Sequence, residues 1–169
     1  MIRINRIYLK NFGVIPELDL NLEDGITIFH GKNGHGKSTI IKALSLALFN
    51  KYEGSLEDYC NWNASKKEYT IKIDFELERS YSVEINYGDG STERTLRDNK
   101  TKEEWKNSSC TSKLADILDP DLYLSSVLSF ASSYDFITTQ PSKRRERLKK
   151  IQGLEFSPQL QKIESDLEY

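Results

Sequence analysis

The chain has 169 residues, 37% of them hydrophobic and 30% charged, enough for one domain with a real core, since a unit this size buries roughly 70% of the surface its unfolded chain exposes. Its 24 Lys and Arg stand against 26 Asp and Glu, a net charge of −2, so any contact with a polyanion has to come from a local patch. Two cysteines, Cys60 and Cys110, with no CxxC pattern exclude a disulfide scaffold and most cysteine-ligated zinc sites; Met1–Lys10 carries no signal peptide and no apolar run nears the ~20 residues of a membrane helix, so a cytoplasmic protein without membrane contact is expected.

In chain order, Ile2 and Ile4, then Ile7 and Leu9, alternate with polar residues but change phase, which predicts a bulge in an edge strand. Leu18, Leu20 and Leu22 alternate with Asp19, Asn21 and Glu23, and Ile26–Phe29 is a short apolar run of the kind found in central strands. From Ser38 the period becomes helical, with Ile40, Ile41, Leu44, Ala47 and Leu48 at helical spacing to about Asn50. This helix is apolar on nearly every side and should be deeply packed.

Between that strand and that helix lies Gly31-Lys32-Asn33-Gly34-His35-Gly36-Lys37-Ser38, which matches G-x-x-x-x-G-K-[ST]. A chance match is expected in on the order of one chain in a hundred, and here the flanking strand and helix agree with it. The chemistry needs these residue types. Glycines let the backbone curl so that successive N–H groups converge on phosphate oxygens, and the positive end of the following helix adds to the field. Lys37 would supply a mobile cation to the β- and γ-phosphates of ATP and is the candidate catalytic residue. Ser38 would give a hydroxyl to Mg²⁺, and Thr39 is placed to donate to the α-phosphate. Turnover in this class also needs an acidic strand end and a γ-phosphate sensor. No run of four apolar residues followed by Asp-Glu exists, and Ile73–Glu76 alternates like a half-exposed strand. The chain holds half of a catalytic site.

A polar, aromatic stretch from Lys51 to Lys67 precedes a second block. Ile71, Ile73, Phe75 and Leu77 alternate with polar residues, as do Tyr81, Val83, Ile85 and Tyr87; Gly88-Asp89-Gly90 is a turn and Thr92–Arg97 a third strand. An antiparallel meander with one wet face is expected. Leu114, Ile117 and Leu118 mark a short helix ended by Asp119-Pro120, and Leu124, Val127, Leu128 and Ala131 another. Pro141 opens a helix through Lys150, which Gly153 caps. After Ser157-Pro158, Leu160, Ile163 and Leu167 begin an a/d seam. Residues 1–156 therefore read as one lobe and 157–169 as the start of a coiled coil, within a fragment or half of a longer polypeptide.

The opening "INRIYLKNFGVI", the central "GITIFHGKNGHGKSTIIKALSLALF" and the closing "PSKRRERLKKIQGLEF" together resemble the SMC-like ATPases of DNA double-strand-break repair, of the SbcC type and the large subunit of the phage recombination endonuclease. The resemblance spans the chain as the amino-terminal lobe of an ABC/SMC-like head. It implies an α/β P-loop NTPase fold completed by a carboxy-terminal lobe at the far end of a coiled coil. It also implies a homodimer of heads with ATP between them, an SbcD-like metal-dependent nuclease as partner, and double-stranded DNA across the dimer. Lys10 and Asn11 would approach the nucleotide beside Gly31, Lys32, Asn33, Gly34, His35, Gly36, Lys37, Ser38 and Thr39. The family often has Arg after Asn-Phe, where this chain has Gly13. Cellular members carry a glutamine shortly before the Pro-x-x-Arg-Arg segment; Ser129–Tyr134 has none, as in the phage members, and Gln140 directly precedes Pro141.

Lys143, Arg144, Arg145, Arg147, Lys149 and Lys150 are the one dense basic cluster. They read as a DNA-backbone contact with steep salt dependence, as a solvated face at the coiled-coil root, or as a nuclease-facing surface. The seam of Leu160, Ile163 and Leu167 is expected to pair with the returning half of its own coiled coil rather than to dock a partner helix. His35 is expected to face solvent, His30 to pack, and Trp62 and Trp105 to pack under loops rather than stack on a base. The leading reading is the Mg·ATP-binding half of an ATPase that gates a nuclease, inactive alone. A nucleotide-binding scaffold that never hydrolyses ATP, a RecF-type loader and a phage-defence ATPase remain open.

Overall fold

The computed structural model describes residues 2–118, together with Ser142 and Arg145, which are helical and exposed. Met1–Leu118 forms one compact unit. The expected helices after Asp119, the Ser129–Tyr134 segment, most of the basic cluster and the seam from Ser157 lie outside the described residues.

One antiparallel sheet of six strands organises the unit. The strands are β1 (Arg3–Phe12), β2 (Ile15–Asn21), β3 (Tyr69–Glu76), β4 (Ser80–Gly88), β5 (Ser91–Asp98) and β6 (Glu104–Lys106), in the spatial order β2-β1-β3-β4-β5-β6. Two helices, α1 (Lys37–Phe49) and α2 (Ser108–Ile117), cover its apolar side; α1 packs on β1, β3, β4 and α2, and α2 on β5 and β6. Strict alternation gives the sheet two unlike faces. Ile71, Ile73 and Phe75 of β3 and Val83 and Ile85 of β4 are fully buried, while Lys72, Asp74, Ser82 and Glu84 between them border a polar cleft on the other side. The expected meander with one wet face is present. Its β4–β5 hairpin turns at Asp89-Gly90, both at positive φ, as a two-residue hairpin of this twist requires.

The phase change in β1 is a bulge: Ile4 faces Phe75 and Arg6 faces Asp74, so Asn5 is the extra residue. This turns Ile7 and Leu9 into the core. β1 is not an edge strand, however. β2 pairs with one side of it and β3 with the other, because the long connection through α1 returns the chain to the free side of β1. The edge role falls to β2.

The expected central strand Ile26–Phe29 does not form. Among the described residues no strand pairs with it, and Ile26 and Ile28 are 93% and 78% exposed. An apolar run becomes a strand only when neighbours take its N–H and C=O groups and cover its faces. His30, expected to pack, is exposed along with it. β6 carries no alternating pattern to betray it; it is held by pairing with β5 and by the Arg97–Glu104 ion pair. α1 is deeply packed as its composition requires, with Ile40, Ala43, Leu46, Ala47 and Leu48 buried. No helix among the described residues is long and apolar enough to cross a membrane.

Candidate functional site

Gly31–His35 is an exposed loop that runs into α1 through buried Gly36. Gly36 takes the N-cap position of α1 at φ 87° and supplies no side-chain acceptor. The first bond inside the helix is Ile40 N–H to Gly36 C=O, at 3.2 Å. The N–H groups of Lys37, Ser38 and Thr39 therefore precede the helical ladder and are free for an external acceptor. No acid lies in the first turn of α1 to neutralise its positive end. The Lys37 ammonium folds back onto its own loop and donates to the carbonyls of Gly31 at 2.8 Å and Lys32 at 2.9 Å. A cation held only by neutral carbonyls, above uncapped N–H groups, fits a polyphosphate in charge and in hydrogen-bond type. Ser38 is exposed and can give Mg²⁺ one hydroxyl ligand. Among the described residues no three His, Cys, Asp or Glu side chains converge to hold a metal ion by themselves; a nucleotide-bound Mg²⁺ takes most of its ligands from phosphate and water and needs only one or two from the protein.

The β1–β2 turn forms the wall beside this loop. A Cβ on Gly36 would lie 3.0 Å from Ile15 Cγ1 and 3.3 Å from Val14 Cγ2. A Cβ on Gly13 would lie 2.8 Å from the Thr39 methyl group, and Gly13 itself sits at φ +56°. The glycine after Asn11-Phe12 thus has a local reason. It is where the turn touches the first turn of α1, in a backbone conformation that other residues adopt only with strain.

A further layer flanks the turn. Gly13 N–H donates to Tyr59 C=O at 2.6 Å, Phe12 bridges Cys60, and Asn61 N–H donates to Asn11 C=O at 2.8 Å. The segment is anchored by Tyr59, which ends a short 3-10 helix (Leu56–Tyr59) and stacks on Phe12 at 5.4 Å. Lys10 is exposed at the end of β1 and Asn11 is half-buried at φ 53°. Both lie on the strand that enters this turn. His35 is exposed.

Two residues depart from expectation. Trp62 is not packed under a loop but 87% exposed. Trp105 is half-buried beneath the Lys113 ammonium, 5.1 Å from its ring centre. A third, Arg94, falls on the inward phase of β5, with partners that no local pattern records. It is 7% exposed, lies on β5 and donates to the carbonyls of Leu46 at 3.2 Å and Ala47 at 3.0 Å, and to Asn50 Oδ1, at the far end of α1. Burial pulls its guanidinium below the usual arginine range. Of the basic cluster, Arg145 is the one member described.

Comparison with known proteins adds independent findings. A family model described as an AAA domain matches residues 6–168. The DNA double-strand break repair Rad50 ATPase of Methanocaldococcus jannaschii is 26% identical over 98% of this chain and 18% of its own length. The DNA replication and repair protein RecF of Corynebacterium jeikeium is 51% identical, over 24% of this chain and 10% of RecF. Among solved structures, a chain from work on ATP-driven dimerization and DNA-stimulated activation of SMC ATPases superposes with a TM-score of 0.67 at 21% identity, over 88% of this chain and 98% of that one. A recombination mediator RecF–ATP structure superposes with a TM-score of 0.57 at 16% identity, over 88% of this chain and 38% of the other. The fold is therefore the α/β, P-loop NTPase-like lobe of SMC and RecF ATPase heads, and the chain spans under a fifth of the Rad50 relative it matches.

Proposed function

The chain belongs to the AAA-domain family, and from that premise we propose that it is the Mg·ATP-binding amino-terminal half of an SMC-like ATPase head. A carboxy-terminal lobe and a second head would complete it, and it would act with a nuclease on double-stranded DNA in break repair or recombination. The observation that carries this reading is the N-terminus of α1: uncapped N–H groups, no acid in the first turn, and Lys37 held only by the carbonyls of Gly31 and Lys32. A triphosphate would take over the Lys37 ammonium from those carbonyls and accept from the N–H groups of Lys37, Ser38 and Thr39. Mg²⁺, when bound, would screen charge on the β- and γ-oxygens, with Ser38 as this chain's ligand to it. Lys37 then serves to neutralise phosphate charge as it develops. The other positions of the loop, Gly31 to Gly36, serve as backbone cradle.

The exposed run Ile26–Phe29 supports the need for a second lobe. It enters the Gly31–Ser38 loop directly, yet lies open while the strands among the described residues are paired. The Rad50 sequence similarity across 98% of the chain supports break repair; RecF matches about a quarter of the chain in sequence but superposes over 88% of it, so a RecF-type loader stays as an alternative. A nucleotide-binding scaffold without hydrolysis is the second reading, favoured by the lack in this sequence of an apolar run followed by Asp-Glu and of a glutamine within Ser129–Tyr134.

The deciding experiment is Mg·ATP binding and turnover by the purified chain, beside Lys37→Ala. We expect binding without turnover, and a loss of affinity of at least about tenfold in the variant at unchanged fold, since one charge-assisted contact is worth about 1.5–3 kcal/mol. Equal affinity in the two would overturn the site; turnover abolished by the variant would place the catalytic acid inside this chain.

A further inference from the structure

We propose that Tyr59 is the positioning residue of the phosphate site: its hydroxyl ties the chain leaving α1 to the turn that walls the start of α1, and so sets where the N–H groups of the first helical turn stand. This rests on the reading of Gly31–Ser38 as a phosphate site and names what holds that site in register.

The loop has little to brace it from within. Gly31–His35 is exposed, α1 begins without a side-chain cap, and the Lys37 ammonium meets carbonyls of its own loop. Its outer wall is the β1–β2 turn, where Gly13 lies against Thr39, and Val14 and Ile15 lie against Gly36. That turn is not self-supporting either. Asn11 sits at φ 53°, a conformation that costs a non-glycine residue free energy and persists only where the surroundings impose it. Residues 59–61 impose it. Tyr59 C=O accepts from Gly13 N–H at 2.6 Å, Cys60 bridges Phe12, and Asn61 N–H donates to Asn11 C=O at 2.8 Å.

Tyr59 also reaches the helix itself. Its buried ring stacks on Phe12, 5.4 Å between centres and 7° from parallel. Its hydroxyl accepts from Glu53 N–H and donates to Glu53 C=O, both at 3.0 Å, four residues past the end of α1 at Phe49. The Lys42 ammonium, from the middle of α1, lies 5.9 Å from the ring centre. Through Gly13, Tyr59 bears on Thr39 at the start of α1. One side chain thus refers the start, middle and end of a helix about 20 Å long to a single turn. A slide of α1 along its axis would break the Glu53 pair or drive the Thr39 methyl into Gly13. The hydroxyl is what closes this circuit, because it serves a backbone donor and a backbone acceptor at once. Tyr69 supplies the contrast: its ring is buried edge-on to Phe12 at 5.1 Å, and its hydroxyl has no partner.

The test uses the 169-residue chain carrying Tyr59→Phe, which removes one oxygen and keeps the stack on Phe12. Beside it stands Tyr69→Phe, which removes an unpartnered oxygen from the same aromatic group. Each is titrated in Mg²⁺ with tripolyphosphate and with ATP, at a temperature where far-UV circular dichroism shows it fully folded. The amide resonances of Lys37, Ser38 and Thr39 are recorded without ligand. Tyr59→Phe should weaken tripolyphosphate and ATP by the same factor, about fivefold, the worth of one ordinary hydrogen bond, and should shift those three resonances. Tyr69→Phe should change neither. Unaltered affinities in Tyr59→Phe, unmoved resonances, or an equal loss in the two variants overturns the proposal while the phosphate site stands. If the unsubstituted chain binds neither tripolyphosphate nor ATP, the phosphate site fails and Tyr59 has nothing to position.

Discussion

Gly13 shows how one residue fixes the wall of the candidate site. The SMC-like ATPases that this chain resembles often carry Arg at this position, and the structure gives the reason for glycine here. The backbone is left-handed at φ +56°, and a Cβ would meet the Thr39 methyl at 2.8 Å. That is a clash with a β-branched side chain inside the first helical turn, where χ1 has little freedom. Gly13→Ala should cost about 2 kcal/mol in urea unfolding, from the strained conformation and from overpacking. It should also weaken ATP more than its effect on the fraction folded explains, because Thr39 is displaced. A variant with unchanged stability would mean that Thr39 yields freely and that the turn does not set the loop. At this scale the sequence was legible for the motif itself. It was silent on Gly13, since proximity to Thr39 joins residues 26 positions apart.

At the scale of elements, α1 is held at both ends by different parts of the sheet. Its N-terminus lies against the β1–β2 turn, through Gly36 and Ile15. Its C-terminus ends at Asn50, itself at φ 53°, and the carbonyls of Leu46 and Ala47 receive the buried guanidinium of Arg94 from β5. A cation at the negative end of a helix is favourable, and here it replaces the carboxylate partner that a buried arginine usually requires. The arrangement is not fully satisfied: Arg94 Nε and the neighbouring buried Tyr69 hydroxyl have no partner. Burial is also what raises the Tyr69 phenol well above the usual tyrosine range. Arg94→Met keeps most of the volume and removes the donors to both carbonyls. It should destabilise the unit by about 2–3 kcal/mol, the range for lost hydrogen bonds to a charged group, read as a lower urea midpoint at constant slope. An unchanged midpoint would show that water can cap α1 equally well. The alternation of β5 places position 94 on the inner face, so its burial was open to a sequence reading. Its partners were not, because they lie 44 to 48 residues away.

For the molecule as a whole, the feature that stands apart is the open run Ile26–Phe29. The sheet buries the apolar residues of β3 and β4 completely, yet the segment that leads into the Gly31–Ser38 loop is left in water at Ile26 and Ile28. If a second lobe is what pairs with it, replacing these side chains should leave this chain's own stability alone and damage assembly. The double variant Ile26→Thr, Ile28→Thr should shift the unfolding free energy by less than about 0.5 kcal/mol, as for other exposed positions, while lowering capture of the carboxy-terminal lobe at least about tenfold. A loss of more than about 1 kcal/mol in the isolated chain would show that the run already packs on its own unit.

The sequence by itself determined what depends on short-range geometry. Two-residue alternation placed the meander and its wet face, the phase slip between Ile4 and Ile7 announced the bulge that the structure puts at Asn5, and glycine spacing before a helical period located the loop and α1. These signals are local because pleat, helical turn and left-handed backbone are decided within a few residues. Only the tertiary structure decided that β1 is interior, that Arg94 caps α1, that Trp62 faces water, and that an apolar run fit for a central strand stands unpaired among the described residues. Each of these depends on which neighbour reaches a group first. That is settled by distant chain segments and by loop closure, and no local pattern records it.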